Sequence, residues 1–299
     1  MGEPSSGWLD RGGIRLHYLE WIPDRGTAAE PAVLLLHGLS SNARYWERVA
    51  RKLGGRRLVA LDQRGHGLTG QPRNAPVVPD GYAMDALLDD ISHVISELNL
   101  GRPVVIGHSW GATVALELAG TRPDLVSGLV FIDGPVQSAA NLFSWEEAQR
   151  IMQPPLPRFA SFTDAVAESR RDFEGAWDDD LESFVTARTV PDGDQLILTL
   201  TAPVRLELLR GLYESQPDVL WPQVGVPAVV LLALRSFARV SRSKEDGAAR
   251  LGVIAPRVEV RWLDTPHDIP LFKPGEVAFQ IERVCSLAAT GLTSEAPAG

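Results

Sequence analysis

Apolar residues along the chain alternate between two patterns. Short unbroken runs of valine, isoleucine and leucine, such as residues 32–36, are typical of strands buried on both faces of a parallel sheet. Longer stretches between them, such as residues 84–98, carry apolar residues at helical spacing. The pattern predicts an α/β fold with a mostly parallel, doubly wound sheet covered by helices. The predicted strands are residues 14–21, 32–36, 57–61, 103–106, 126–132, 228–234 and 258–263, and the predicted helices are residues 43–53, 84–98, 112–118 and 274–287.

Residues 136–222 differ from the rest of the chain. This sequence lacks strand-like runs, and its many aromatic residues lie in segments of helical character. We predict that residues 136–222 form a helical cap inserted into a core of residues 1–135 and 223–299. Residues 152–157 are rich in proline and are predicted to form a stiff bend at the entrance to the site. The polar segment after Thr290 is predicted to be frayed.

The most informative motif is Gly-His-Ser-Trp-Gly at residues 107–111. It directly follows a predicted strand and opens a predicted helix, which is the context that makes a G-x-S-x-G pattern informative. A chain that turns at once from strand to helix holds the central serine in a strained conformation, and side chains at the two glycine positions would collide with it. Ser109 is therefore the predicted nucleophile, with its hydroxyl pointing out of the sheet.

An acyl-transfer serine also needs backbone N–H groups that stabilise the oxyanion. One is expected from Trp110, directly after Ser109, and another from the loop His-Gly-Leu-Ser-Ser at residues 37–41. Together with the D-x-R-G-x-G sequence at residues 62–67, these motifs resemble the α/β-hydrolase superfamily in kind and in order. The resemblance covers about residues 10 to 290. It implies the α/β-hydrolase fold and makes Leu39 the donor of the second N–H group.

The catalytic base is chosen from six histidines. His267 follows the last predicted strand, so it emerges at the carboxyl edge of the sheet, where Ser109 also lies and where ligands of open α/β sheets bind. The resemblance places the catalytic histidine of the family at the same point, in a similar H-x-x-P-x-x-x-P setting. We therefore predict His267 as the base. The remaining histidines lie on the early hairpin, in glycine loops, on a helix or facing away from the serine: His17, His37, His66, His93 and His108.

The acid that orients the histidine departs from the usual pattern of the resembling family. Most members carry it just after the strand that follows the cap, where this chain has Ser236 and no carboxylate. Adjacent strand ends lie about 5 Å apart, so Asp133, at the end of the preceding strand, is within reach of the same histidine. Some haloalkane dehalogenases and lactone hydrolases of the family carry their acid there. Asp133 is the predicted acid, with turn capping as its alternative role. Other candidates are Asp264, Asp268, Glu245 and Asp246.

The amino-acid composition limits the binding partners and the cellular location that are expected. The 299 residues carry a formal net charge of −9 without a basic cluster, which argues against nucleic acid as a partner. No apolar run approaches the roughly 20 residues that span a bilayer, so no membrane association is expected. The N-terminal residues lack the features of a secretion signal, and a cytoplasmic location is expected. The oligomeric state stays open.

Composition also bears on cofactors. Cys285, the single cysteine, is expected to be a packed core thiol, which excludes an internal disulfide and a multi-cysteine metal site. The acidic residues 178–180 are interpreted as a solvated helix end. No cofactor and no metal are expected.

The resemblance and the motifs together predict hydrolysis of a carboxylic ester or lactone of a small, largely apolar substrate through an acyl-enzyme. An aminopeptidase, a C–C bond hydrolase or an acyl transferase would use the same triad, and a hydrolase-like binding protein with vestigial turnover is the alternative from another class. A dehalogenase or an epoxide hydrolase would need a carboxylate at position 109. The predicted substrate contacts are His37, Gly38, His108, Trp145 and Trp177.

Overall fold

The computed structural model describes residues 2–23, 29–69 and 81–291. The strands are β1 (Ser5–Arg11), β2 (Ile14–Trp21), β3 (Ala29–Leu36), β4 (Arg56–Leu61), β5 (Val104–His108), β6 (Gly128–Ile132), β7 (Arg158–Phe159), β8 (Thr189–Asp192), β9 (Gln195–Leu198), β10 (Ala228–Ala233) and β11 (Glu259–Leu263). The α-helices are α1 (Glu47–Ala50), α2 (Met84–Glu97), α3 (Trp110–Thr121), α4 (Trp145–Met152), α5 (Phe162–Asp172), α6 (Leu181–Arg188), α7 (Ala202–Glu214), α8 (Pro217–Leu220), α9 (Ala238–Ile254), α10 (Ile269–Phe272) and α11 (Pro274–Thr290).

A large sheet forms the centre of the molecule. Within the described ranges it has eight strands in the order β1-β2-β4-β3-β5-β6-β10-β11. The hairpin β1-β2 is antiparallel, and β2 pairs antiparallel with β4. The remaining neighbours in this order, β4, β3, β5, β6, β10 and β11, pair in parallel. The carboxyl ends of β5, β6, β10 and β11 therefore lie side by side at one edge. The predicted α/β-hydrolase fold with a mostly parallel sheet is confirmed.

Side chains on the two faces of this sheet enter separate apolar clusters. In β3, Leu34 and Leu36 pack with α2 and α3 on one face, and Val33 and Leu35 pack with α1 and α11 on the other. Successive residues of a strand point to opposite faces, so a strand covered on both faces needs apolar residues at every position. This explains the unbroken apolar run at residues 32–36. No helix in the described ranges is long and apolar enough to cross a bilayer.

The segment between β6 and β10 contains α4 to α8 and a small antiparallel sheet in the order β7-β9-β8. The segment predicted as a helical cap thus contains three short strands besides its helices. These strands have only two to four residues each and are at most partly apolar, for example Arg158–Phe159, so they leave little periodicity in the sequence.

Several other elements differ from the prediction. The predicted helix at residues 43–53 is a 3₁₀ turn at Ala43–Trp46 followed by the short α1. Strand β1 and helix α9 were not among the predicted elements. The segment after Thr290 that was predicted to be frayed lies outside the described residues, apart from Gly291.

Candidate active site

Ser109 stands between β5 and α3 in an unusual backbone conformation, with φ 54° and ψ −117°. A residue with a side chain is strained in this region by about 1–3 kcal/mol. A Cβ atom at Gly107 would lie 2.3 Å from the carbonyl oxygen of Gly111, and a Cβ atom at Gly111 would lie 2.4 Å from the carbonyl oxygen of Leu36. Both positions therefore exclude a side chain. The tight strand-to-helix turn is what holds Ser109 in its conformation.

The start of α3 and the loop after β3 lie beside Ser109, and the sequence predicts the oxyanion N–H donors in these two segments. Trp110 is the first residue of α3, so its N–H has no acceptor within the helix. The loop after β3 lies against the turn, because a Cβ atom at Gly38 would be 3.4 Å from Cβ of Ser109. In that loop, Ser40 N–H donates to Nε2 of His66 at 3.0 Å. This bond anchors the residue that follows Leu39 to the D-x-R-G-x-G loop.

His267 and Asp133 are hydrogen-bonded to each other. His267 lies in the loop between β11 and α10, and Asp133 directly follows β6. Nδ1 of His267 donates to Oδ2 of Asp133 at 2.5 Å. The bond fixes the tautomer of a neutral imidazole, because the proton on Nδ1 leaves Nε2 as the acceptor.

The Asp133 carboxylate is almost fully buried, with 1% of its side chain exposed. Its backbone has φ 50°, and Oδ1 accepts the N–H of Ala233, at the end of β10, at 2.8 Å. Lys244, on α9, donates to Oδ2 at 2.8 Å. Burial opposes ionisation of Asp133, but the hydrogen bond and charge of His267 and the charge of Lys244 outweigh it and hold the pKa of Asp133 below its ordinary value.

The same contacts act on the imidazole in the opposite direction. Partial burial of the ring opposes its protonation, but the hydrogen bond and charge of Asp133 and the charge of Asp268 outweigh burial. They raise the pKa of His267, while the charge of Lys244 acts against this increase. The pair therefore has the electrostatics of an imidazole whose charged form is stabilised by a buried carboxylate.

A cavity of about 700 Å³ brings Ser109, Asp133 and His267 together. The rest of its wall is formed by Met152, Arg235, Ser236, Phe237, Val240 and Lys244. Met152 is the last residue of α4 and begins the proline-rich segment 152–157, which the sequence predicts at the entrance. Phe237 is 87% exposed, so an apolar side chain stands at the mouth.

The sequence did not single out Lys244 or Phe237 for this site. Phe237 directly precedes α9 and Lys244 lies in the second turn of α9, a helix that the apolar pattern did not predict. One signal was available: the chain has only three lysines, and Lys244 is near the serine that replaces the usual acid. This signal can be used only once it is known that α9 brings Lys244 back to the end of β6.

The predicted substrate contacts are not among the residues of this cavity wall. His37 is buried and its Nε2 accepts the N–H of Gln63 at 3.1 Å, while Gly38 packs against Ser109. Trp145 packs against Tyr213, with ring centroids 5.2 Å apart. Trp177 packs at the edge of the apolar cluster that contains α1 and α11. Contact of these residues with a substrate stays a prediction.

Burial shifts the pKa of two other histidines and of the cysteine toward their uncharged forms. His108 stacks on Tyr45 with ring centroids 4.9 Å apart, and burial lowers the pKa of His108 to about 4. Burial also lowers the pKa of His66 well below its ordinary value. Cys285 is buried on α11, and this raises the pKa of its thiol to about 12, so it is a core thiol as expected.

A separate chain of hydrogen bonds, Ser6–His17–Asp62, lies toward the end of the sheet formed by β1 and β2. Oγ of Ser6 is 2.7 Å from Nε2 of His17, and Nδ1 of His17 is 2.7 Å from Oδ2 of Asp62. Ser6 is the second residue of strand β1 and does not precede a helix. Asp62 also accepts the N–H groups of Ala43 and Leu68, so it holds the loops after β3 and β4. Ser6 is therefore a natural comparison for Ser109, since only Ser109 has the strained turn.

Comparison with known proteins finds similarity to hydrolases of the α/β fold. Residues 31–174 match the family model described as alpha/beta hydrolase fold. Lipase LipV from Mycobacterium tuberculosis is 28% identical over 268 residues, which cover 85% of this chain and 92% of the lipase. Epoxide hydrolase 3 from Mus musculus is 28% identical over 244 residues, 76% of this chain and 62% of that protein.

A solved structure and several longer curated proteins are also similar to this chain. The crystal structure of E-2-(acetamidomethylene)succinate hydrolase superposes with a TM-score of 0.75 at 23% identity, over 95% of this chain and 99% of that one, which shows the fold alone. Several curated relatives are longer than this chain, which covers 62% of mouse epoxide hydrolase 3 and 43% of epoxide hydrolase 3 from Xenopus tropicalis, less than two thirds of either.

Proposed function

Because the chain belongs to the α/β-hydrolase superfamily, we propose that it is a serine hydrolase that cleaves carboxylic esters or lactones of small, largely apolar molecules. One observation carries the proposal: the residue at the strained turn is a serine, and it shares a cavity with the hydrogen-bonded pair His267–Asp133. Nucleophile, base and orienting acid are the groups that acyl transfer requires.

The proposed reaction has two steps. Oγ of Ser109 attacks the ester carbonyl while Nε2 of His267 takes its proton, and collapse of the tetrahedral intermediate passes that proton to the departing alcohol. Water then attacks the acyl-enzyme, with His267 again as base, and releases the acid. The N–H groups of Leu39 and Trp110 stabilise the oxyanion in both steps. Asp133 stabilises the imidazolium.

Residue 109 also bears on the epoxide hydrolases among the relatives. Attack of a carboxylate on an epoxide carbon gives an ester, which water can cleave at its carbonyl. Attack of a serine hydroxyl on the same carbon would give an ether, which has no carbonyl and cannot be hydrolysed in this way. A serine at position 109 therefore favours acyl chemistry over turnover of an epoxide.

The wall of the cavity supports the substrate class. Met152, Phe237 and Val240 provide apolar surface beside Ser109, which suits an acyl or alkyl group. Met152 lies at the end of α4, so the segment between β6 and β10 contributes to this wall. We propose that residues 136–222 act as the cap over the core of residues 1–135 and 223–299.

A substrate panel tests the proposal. p-Nitrophenyl esters of increasing acyl length, aliphatic lactones, amino-acid anilides and styrene oxide are assayed with the wild-type protein and with Ser109→Ala. We expect turnover of esters or lactones that is lost in Ser109→Ala, and none of styrene oxide. Turnover of the epoxide, or ester turnover that persists in Ser109→Ala, would overturn the assignment. Preference for the anilides would indicate that the same triad cleaves amides instead of esters.

A further inference from the structure

Lys244 is a buried cation directly beside the candidate triad. Its side chain is 9% exposed, whereas Lys52 and Lys273, the other lysines of the chain, are exposed. An ammonium group is costly to bury unless it is paired and hydrogen-bonded. The close approach of α9 to the chain after β6 brings it there: a Cβ atom at Gly247, almost one turn further along, would lie 2.7 Å from the carbonyl oxygen of Val136.

The contacts of Lys244 use all of its donors. Nζ lies 2.6 Å from Oδ1 and 2.8 Å from Oδ2 of Asp133. It also lies 2.8 Å from Oγ of Ser236 and 3.2 Å from the carbonyl oxygen of Ala233. An ammonium group has three N–H donors, and here three residues of the protein occupy them. Lys244 is therefore placed to act on Asp133 rather than to bind an anionic substrate.

We propose that Lys244 is a positioning residue of this site, which clamps the Asp133 carboxylate toward His267 and offsets part of its charge. This inference rests on the proposed serine-hydrolase function. The clamp is geometric, because the ammonium contacts both carboxylate oxygens while the N–H of Ala233 holds Oδ1. Together they orient the plane of the carboxylate and leave Oδ2 directed at Nδ1 of His267.

The place of Ser236 explains why a cation fits here. The resembling family usually carries its acid at this position, and in this chain a hydroxyl stands there and accepts a hydrogen bond from Lys244. The ammonium group of Lys244 therefore lies between Ser236 and Asp133. Because Lys244 donates to a carboxylate, it is not free to accept a proton from Ser236, and a second serine–lysine nucleophile is not expected.

The charge of Lys244 also has a measurable consequence. The groups that face His267 are Asp133 from the end of β6, Lys244 from α9, Asp268 beside it and His108 from β5, whose ring centroid is 4.8 Å away. His108 is uncharged near neutral pH, so Lys244 is the cation that opposes the two carboxylates. Loss of this cation makes protonation of His267 easier. The base then becomes active only at higher pH.

The test compares four proteins by the pH dependence of phosphonate labelling. The proteins are the wild type, Lys244→Met, Lys244→Arg and the surface control Lys52→Met, each treated with a fluorophosphonate at pH 5.5 to 9. In Lys244→Met we expect the midpoint of labelling to rise by about one pH unit, the lower end of what one neighbouring charge does, so that the ratio of the rate at pH 6 to that at pH 8 falls about fivefold. Lys244→Arg and Lys52→Met should keep the wild-type ratio.

A titration that needs no turnover separates this inference from the proposed function. The imidazole signals of His267 are followed by NMR against pH in the wild type and in Lys244→Met, with His267→Gln to assign them. If Lys244→Met does not fold, Lys244→Gln keeps a donor without the charge and replaces it. A wild type that titrates as described but is never labelled would contradict the hydrolase function alone. A midpoint unchanged in Lys244→Met, or moved equally in Lys244→Arg, would overturn the role of Lys244.

Discussion

Nδ1 of His267 lies 2.5 Å from Oδ2 of Asp133, although 134 positions separate the two residues in the chain. Two neighbouring features of the sheet produce this contact. Strand β10 lies between β6 and β11, and the residues after β6 and β11 converge over its end. Asp133 accepts the N–H of Ala233 at the end of β10, which holds the carboxylate in this position.

The contact predicts a large effect of Asp133→Asn. The amide offers an N–H donor or a weaker acceptor to Nδ1, so it favours the wrong tautomer and does not stabilise the imidazolium. We expect kcat for an ester substrate to fall by about 10⁴-fold, the loss seen for this change in a serine-protease triad. Asp264→Asn is the matched control, because Asp264 is exposed and pairs with Arg235. Equal losses in both variants, or no loss in Asp133→Asn, would exclude Asp133 as the acid.

The pH dependence of activity follows from the raised pKa of His267. The base must be neutral, and a raised pKa keeps it protonated to higher pH, so kcat/KM should rise with pH through a midpoint above that of an ordinary histidine. The pH profile of the wild type gives the midpoint. In Asp133→Asn the stabilising carboxylate is lost, and the residual activity should have its midpoint at lower pH. A midpoint that moves upward in this variant would contradict the electrostatic account.

The strain at Ser109 predicts a gain in stability when its side chain is removed completely. Ser109→Gly relieves a conformation at φ 54° and ψ −117°, whereas Ser109→Ala keeps the Cβ atom that causes the strain. We expect Ser109→Gly to be more stable than Ser109→Ala by about 1–3 kcal/mol in the free energy of unfolding. Urea denaturation of both variants measures the difference. Equal stability would mean that the turn is not strained.

A side chain added at a glycine of the turn should lower the stability of the protein. Gly111→Ala places a Cβ atom 2.4 Å from a backbone oxygen of Leu36, and the collision should cost about 1–3 kcal/mol of stability, together with activity. Gly252→Ala is the control, because a Cβ atom there meets no other atom within 4 Å and lies in helix α9. The control should gain about 0.5–1 kcal/mol. Thermal unfolding of the two variants tests the pair, and a neutral Gly111→Ala would contradict the geometry of the turn.

Much of the fold could be predicted from the sequence because parallel strands buried on both faces leave unbroken apolar runs. The predicted strand at residues 57–61 differs from β4 by one residue, and the predicted strand at residues 228–234 differs from β10 by one residue. Helix α9 was missed for a physical reason. Its buried positions are Ser243, Lys244, Gly247 and Leu251, so the face that packs inward is largely not apolar.

Some residues of the candidate site could likewise be predicted from the sequence, and others could not. Motifs with a local cause could be found: Ser109 between two glycines, and His267 after the last strand. The acid needed an argument about neighbouring strands, since Asp133 and His267 meet only through the order of the sheet. The wall of the cavity could not be predicted, because it depends on where α9 and the end of α4 pack. For this reason the sequence pointed to Trp145 and Trp177 but not to Phe237 or Lys244.

The most direct test of the account is covalent labelling of the serine nucleophile. The wild type, Ser109→Ala and Ser6→Ala are treated with a fluorophosphonate at pH 8, and the adducts are counted by intact mass and located by peptide mapping. Ser6 is the matched control, because it is hydrogen-bonded to a histidine that contacts an aspartate but does not lie in the strained turn. The serine-hydrolase mechanism predicts one adduct, on Ser109, in the wild type and in Ser6→Ala, and none in Ser109→Ala. A wild type without an adduct, or with its adduct on another residue, would contradict it.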